Sequence, residues 1–306
     1  MDILFGILPF FNAGLFAAAA ARITGANMSI LLLPVLLYMG AEPYESLTLL
    51  LLFGLYNYFT LYTEKTNLTI KNFAFFPGWF CLIPMAVIGA LLYFDPFAGI
   101  LGCVVWFIAE MAGILYKRMP SQEKPPVSSL LMMMAGTAVL GAAGAFLVQF
   151  IPADYYFVLA GLAMLGVTAL MWKAGKDRSA MTESWDGIQI GMTVLTGLFG
   201  IEAADWFEAM KRNAVSPVSK IYPLLINAAM IGAVITSYIV SRSFSVSGLF
   251  MAIGSALAIR FIGFPEMDKK GTFSYLAAGI VVLAVLCLYL TAPTPVGLGD
   301  AFAVVR

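Results

Sequence analysis

Long apolar runs alternate with short polar stretches along nearly the whole chain. Runs near 46–63, 73–94, 97–116, 128–150, 153–173, 217–240, 245–264 and 272–292 each approach the length needed for a membrane crossing. A helix needs roughly 20 apolar residues to span a hydrocarbon core of about 30 Å. The stretches between them are short and polar: TEKTNLTIKN, KRMPSQEKPP, KAGKDRSAMTES and GFPEMDKKG. The pairs 73–94/97–116 and 128–150/153–173 are joined by tight turns, DP and IPAD. The pattern predicts an all-α polytopic membrane protein of about eight transmembrane helices, with no soluble domain inserted.

Two regions do not read as simple crossings. Region 1–39 contains a helix, a polar break at 22–28 within RITGANMSILLLPVLLYMGAEP, and a shorter apolar run. Region 187–213, GIQIGMTVLTGLFGIEAADWFEAMKRN, begins apolar and turns acidic. Setting Gly25 over Gly200 gives both regions the same order of break, short helix, Pro and long helix. They predict two re-entrant helix-break-helix hairpins, one in a first repeat, 1–127, and one in a second, 128–306.

Composition agrees with a membrane setting. The chain is 61% hydrophobic and 11% charged, where a soluble domain carries about 25% charged residues. Its mean hydropathy is +0.93. Net charge is zero, so no bulk field draws it to nucleic acid, and none is expected as a partner. Histidine is absent, which removes histidine metal sites and proton relays. Cys81, Cys103 and Cys287 lie singly in apolar runs, so neither a disulfide framework nor a zinc site is expected. No Gly-rich phosphate loop is found, and no cofactor or metal is expected. The N-terminus lacks the basic start of a signal peptide, its first charge being Asp2, and it is read as retained.

Charge placement tests the topology. With both hairpins re-entrant, 14 of the 17 basic residues fall on one side, Arg242 and Arg306 on the other, and Arg22 at membrane depth. If 187–213 crosses instead, the split becomes 10 against 6. The positive-inside rule prefers the first arrangement. Five crossings then separate the hairpins, so they enter from opposite faces, as inverted-topology repeats require.

A break at membrane depth is tolerated where it is buried in protein or lines a cavity. In secondary transporters such breaks form the substrate site. Asn27 and Ser29 suit the N-cap of the run starting near Ile30. The free N–H groups of Gly25, Ala26, Asn27, Met28 and Ser29 would bind an oxyanion. Arg22 would pair with substrate charge, or else snorkel or pair with a carboxylate. Glu202 and Asp205 are candidates for proton coupling, because burial raises a carboxyl pKa; the plainer reading is helix capping or an ion pair. Glu110 is a weaker coupling candidate. Tyr56 and Asn57, with Tyr222 and Asn227 in the corresponding helix of the second half, are candidates to line the site or simply to bond between helices.

The stretch GANMSILLLPVLLYMGAEPYESLTLLLLFGLYN resembles the first repeat of the TauE/SafE sulfite exporter family. PGWFCLIPMAVIGALLYFDPFAGILGCVVWFIAEMAGILY is similar to that family's next helix pair, including the DP between them. SVSGLFMAIGSALAIRF and GTFSYLAAGIVVLAVLCLYL resemble the equivalent pair of the second half. The resemblance implies export of sulfite or an organosulfonate such as sulfoacetate across a bacterial inner membrane, with thiosulfate uptake as a variant. The sequence departs from the family at Gly200-Ile201-Glu202-Ala203-Ala204-Asp205, acidic where glycines are usual, and at Ala209, which replaces the proline. WFEAMKRNAVSPVSKIYPLLINAAMIGAVI is also similar to the penultimate helices of ten-helix drug/metabolite transporters, which predict the poorer charge split.

The expectation is a secondary transporter of a small anionic substrate, coupled to the proton gradient, with the lipid bilayer as its environment and a homodimer among the assemblies to test. An intramembrane enzyme would need a nucleophile–base pair or metal ligands at depth, which the missing histidine disfavours.

Overall fold

The structure, a computed structural model, describes residues 2–24, 31–33, 36, 42–66, 79–118, 121, 124–176, 185–201, 222–242, 250, 251, 254 and 283. These residues are almost all helical, and none of them lies in a strand. The helices are α1 (Asp2–Thr24), α2 (Pro43–Thr66), α3 (Trp79–Phe94), α4 (Pro96–Arg118), α5 (Val127–Leu147), α6 (Ala153–Lys176), α7 (Trp185–Phe199) and α8 (Tyr222–Ser241). A 3-10 turn, Val148–Phe150, closes α5.

Predicted runs 46–63, 97–116, 128–150 and 153–173 correspond to α2, α4, α5 with its 3-10 turn, and α6. Runs 73–94 and 217–240 are described from Trp79 and Tyr222 onward. Runs 245–264 and 272–292 lie outside the described residues apart from Phe250, Met251, Gly254 and Leu283. At the first break the helix reaches further than the polar pattern suggests. Arg22 and Thr24 belong to α1, and the first glycine after them is Gly25. One arginine and one threonine are compatible with helix, whereas glycine is among the poorest helix formers.

Local chemistry sets the element ends. α2 and α4 both begin on proline, whose fixed φ suits the first helical position and whose missing N–H costs nothing there. Asp95 caps α4: its Oδ1 accepts from the Phe97 N–H at 3.0 Å and the Ala98 N–H at 3.4 Å. Before α5, the Tyr116 hydroxyl donates to the Pro125 carbonyl at 2.6 Å, and the Lys124 ammonium donates to the Lys117 carbonyl at 3.1 Å. These two bonds tie Lys124 and Pro125 back to the last turns of α4.

Long-range hydrogen bonds set the helix directions. The Tyr44 hydroxyl, at the start of α2, donates to Ala145 near the end of α5 (3.3 Å). The Tyr44 carbonyl accepts from the Ser237 hydroxyl near the end of α8 (3.4 Å). One tyrosine spans both contacts, so α5 and α8 end together. Asp95, between α3 and α4, accepts from the hydroxyl of Tyr238 on α8. Tyr156, in the first turn of α6, donates to the Leu198 carbonyl near the end of α7 (3.0 Å). One end of the bundle therefore gathers the starts of α2, α4 and α6 with the ends of α3, α5, α7 and α8. α7 and α8 run in the same direction. Lys65, Lys117, Lys124, Lys173 and Lys176 follow the backbone to the opposite end, while Arg242 sits at the first.

α8 packs on α5, α2 and α7, and residues 224–230 are buried without exception. Over this stretch α8 is buried all round, as a core helix is. Small residues let its neighbours come close. A Cβ on Gly141 of α5 would collide with the Ala229 carbonyl of α8, and one on Gly232 of α8 with the Ala138 carbonyl of α5. Gly144 and Gly197 bring α5 and α7 together in the same way. Backbone-to-backbone packing of this kind serves bundles that gain little from hydrophobic burial.

Large apolar side chains also face outward. Leu131, Met132, Val139, Phe146 and Phe150 are exposed on α5 and its 3-10 turn, as are Met85, Val87, Tyr93 and Phe94 on α3. By length and composition alone, two described helical stretches suffice to cross a membrane, Val127–Phe150 and Leu224–Ser241.

Candidate functional site: a helix end inside the bundle

α7 has 15 residues, about 22 Å at 1.5 Å per residue, short of a bilayer core. It stops at Gly200, whose φ of +65° is left-handed and whose N–H closes on the Thr196 carbonyl at 2.9 Å. This is an αL helix stop, which glycine makes without a Cβ penalty. The stop is buried. Phe199 and Ile201 are covered, and Gly200 rests against Leu47 and Leu50 of α2. α7 thus carries its C-terminal partial negative charge into the protein rather than to a surface. Tyr156, itself buried, stacks near Phe199 (5.5 Å between centroids) and gives its hydroxyl to Leu198.

Beside this end runs a strip of hydroxyls between α2 and α8. Thr48 Oγ1 and Ser237 Oγ lie 2.5 Å apart. The Thr48 hydroxyl also reaches back to the Tyr44 carbonyl (2.9 Å), and Ser241 to the Ser237 carbonyl (2.8 Å). These bonds satisfy polar groups that burial would otherwise penalise. Two side chains stand apart. Among the described residues, Ser46 Oγ and both ends of the Asn227 amide are buried with no hydrogen-bond partner. Ser46 is 0% exposed and Asn227 1%. Leaving such groups unpaired costs roughly 1–3 kcal/mol each, so each calls for an explanation.

At the bundle end above the strip, Asp95, Tyr238 and Arg242 meet. The Tyr238 hydroxyl holds the Asp95 carboxyl below the usual carboxylate range, with help from the Ala98 and Phe97 N–H groups and the Arg242 charge. Arg242 ends α8 with a φ of +46°, and its N–H closes on the Tyr238 carbonyl at 2.9 Å.

Of the residues selected from sequence, Asn227 and Glu110 have side chains that are described, and Asn227 lies buried in the first half of α8. Arg22 falls in the last turn of α1, Tyr56 and Asn57 in the second half of α2, and Tyr222 at the start of α8; for these the backbone position is described. Gly25, Ala26, Asn27, Met28, Ser29, Glu202 and Asp205 lie outside the described residues. Glu110 is half-buried on α4. Sequence reasoning passed over Ser46, Thr48, Ser237 and Tyr156. Their signal was hydroxyls embedded in apolar runs; what it lacked was the pairing of α2 with α8, which no local pattern carries.

Comparison with protein-family models, with curated proteins and with solved structures yields no match.

Proposed function

We propose that the chain is a polytopic membrane carrier that moves a small anion across a bacterial inner membrane. The observation that carries this reading is the buried end of α7. A helix that stops at a glycine inside the bundle, followed by a helix that starts from the same end, is the arrangement of a re-entrant segment. Broken helices of that kind are tolerated at membrane depth where they face protein or a cavity, and secondary transporters build their sites from them. α2 and α8, the corresponding long helices of the two halves, run in opposite directions, as inverted repeats require. The outward apolar side chains of α3 and α5 favour lipid as their neighbour. The straight ten-helix alternative needs α7 and α8 to begin at opposite ends, against their common direction.

Sulfite or an organosulfonate is the substrate class that the resemblance favours, moved outward with proton coupling through Glu202 or Asp205. Residues 25–29 would meet the anion with N–H groups, and Arg22 with its charge. Asn227 would supply polar contact from the second half, since its amide has no protein partner.

The test is binding to purified protein, with sulfite, thiosulfate, sulfoacetate and taurine against carboxylate controls. A sulfur oxyanion should bind in preference. Hydrogen bonds to a charged ligand are worth about 1.5–3 kcal/mol, so Asn27→Ala should weaken binding by roughly tenfold to a hundredfold. Equal, weak binding of every anion, or tight binding unaltered in a stable Asn27→Ala protein, would defeat the assignment. Transport driven by an imposed proton gradient, lost in Glu202→Gln or Asp205→Asn while binding persists, would identify the coupling acid.

A further inference from the structure

Asn227 is the polar residue in an apolar stretch of α8. Leu224, Leu225, Ile226, Ala228, Ala229 and Met230 around it are all buried, and its own side chain is 1% exposed. α5 and α8 run in the same direction, and a Cβ on Gly141 would meet the Ala229 carbonyl. Two residues before Ala229, Asn227 therefore lies level with the middle of Val127–Phe150, a stretch long and apolar enough to span a membrane. Two residues turn a helix by roughly 200°, so Asn227 points away from α5. It falls in one stripe with Val234, Tyr238 and Ser241, about two, three and four turns further on. The hydroxyls of Ser237, Tyr238 and Ser241 all have partners. The Asn227 amide has none, at its oxygen or at its nitrogen. A serine can return its hydroxyl to a carbonyl one turn back, as Ser241 does. An amide presents a donor and an acceptor together, and here both stand open.

We propose that Asn227 selects a small anion that carries a hydroxyl beside its charged group. The proposal rests on the carrier reading and narrows its substrate. Oxyanion oxygens only accept hydrogen bonds. A bare anion would meet the amide N–H groups and leave the amide oxygen facing negative charge. A ligand with a neighbouring hydroxyl answers both ends: an anion oxygen accepts from the amide nitrogen, and the O–H donates to the amide oxygen. An ammonium would donate as well, but it brings a charge into an apolar interior with one neutral oxygen from this residue to hold it. An unpaired buried amide costs stability in the ligand-free protein, a cost that functional sites carry for the sake of recognition.

The experiment compares matched pairs of anions binding to the purified full chain by calorimetry: 2-hydroxyethanesulfonate against ethanesulfonate, and lactate against propionate. Within each pair the hydroxylated anion should bind about tenfold more tightly, the worth of one good hydrogen bond. Taurine, with an ammonium in place of the hydroxyl, should bind more weakly than 2-hydroxyethanesulfonate. Asn227→Leu, which keeps the shape of the side chain, should erase the difference within each pair. Without any anion, the same variant should raise the thermal unfolding midpoint by roughly 2–4 °C, because it removes an unpaired buried amide. This readout separates recognition from structure, since an amide that supports the fold would give a lower midpoint when replaced. Equal binding within each pair, binding of none of these anions, taurine binding as tightly as 2-hydroxyethanesulfonate, a hydroxyl preference that survives in Asn227→Leu, or a lowered midpoint would overturn the proposal. Tighter binding of the carboxylates with the hydroxyl preference intact would defeat the sulfur reading and leave this one standing. Tighter binding of the sulfonates with no regard to the hydroxyl would do the reverse.

Discussion

Gly200 shows what a single residue decides. Its φ of +65° ends α7, and its missing Cβ admits Leu50 of α2. An L side chain in that region costs about 1–2 kcal/mol. Gly200→Ala should therefore lower unfolding stability by about that amount, measured by thermal or denaturant unfolding in detergent. Gly166 on α6, where a Cβ would meet nothing, is the control, and its alanine variant should be neutral or slightly stabilising. Asp95 gives a prediction in pH. Its folded pKa is depressed, so the stability it contributes is fully present above the unfolded carboxyl value, near pH 4, and is lost as pH falls through the folded value. Stability of wild type against Tyr238→Phe should differ by a constant amount from about pH 5 to 8 and converge below about pH 4. A gap that changes between pH 5 and 8 would mean that another group governs the contact.

At the scale of elements, much of the fold was legible in the chain. Apolar runs, a Pro at the start of α2 and α4, and Asp95 in a tight turn place α2 to α6 within a few residues, because length and capping are local properties. Gly200 was visible as a break, since glycine after an apolar run has a specific backbone use. The meeting of α5 with α8 was not legible. Gly141 and Gly144 on α5, Gly197 on α7, and Ala229 and Gly232 on α8 are ordinary small residues until the backbones face each other. Nor could any pattern say that the Ser46 hydroxyl and the Asn227 amide would be buried without a hydrogen-bond partner. The close packing makes its own prediction. Gly141→Ala pushes a methyl into the Ala229 carbonyl, backbone against backbone, and should cost about 1–3 kcal/mol by unfolding. Gly136→Ala, on the same helix with open space, should cost nothing.

For the whole molecule, the helix directions and the charge pattern point the same way. Lys65, Lys117, Lys124, Lys173 and Lys176 sit at the bundle end from which α7 and α8 both start. On the carrier reading proposed above, the positive-inside rule would turn that end to the cytoplasm. In the sequence, Lys211, Arg212 and Lys220 come shortly before α8. On that reading α7 enters from the cytoplasmic side and the chain returns to it. Site-specific cysteine labelling in sealed cells tests this most directly. Cysteines at Ser184 and Ser219, in a background with Cys81, Cys103 and Cys287 replaced, should both be protected from an impermeant thiol reagent added outside and both react once the membrane is opened. Labelling of one from each side would mean that the chain crosses between α7 and α8, and would contradict the re-entrant site on which the account depends.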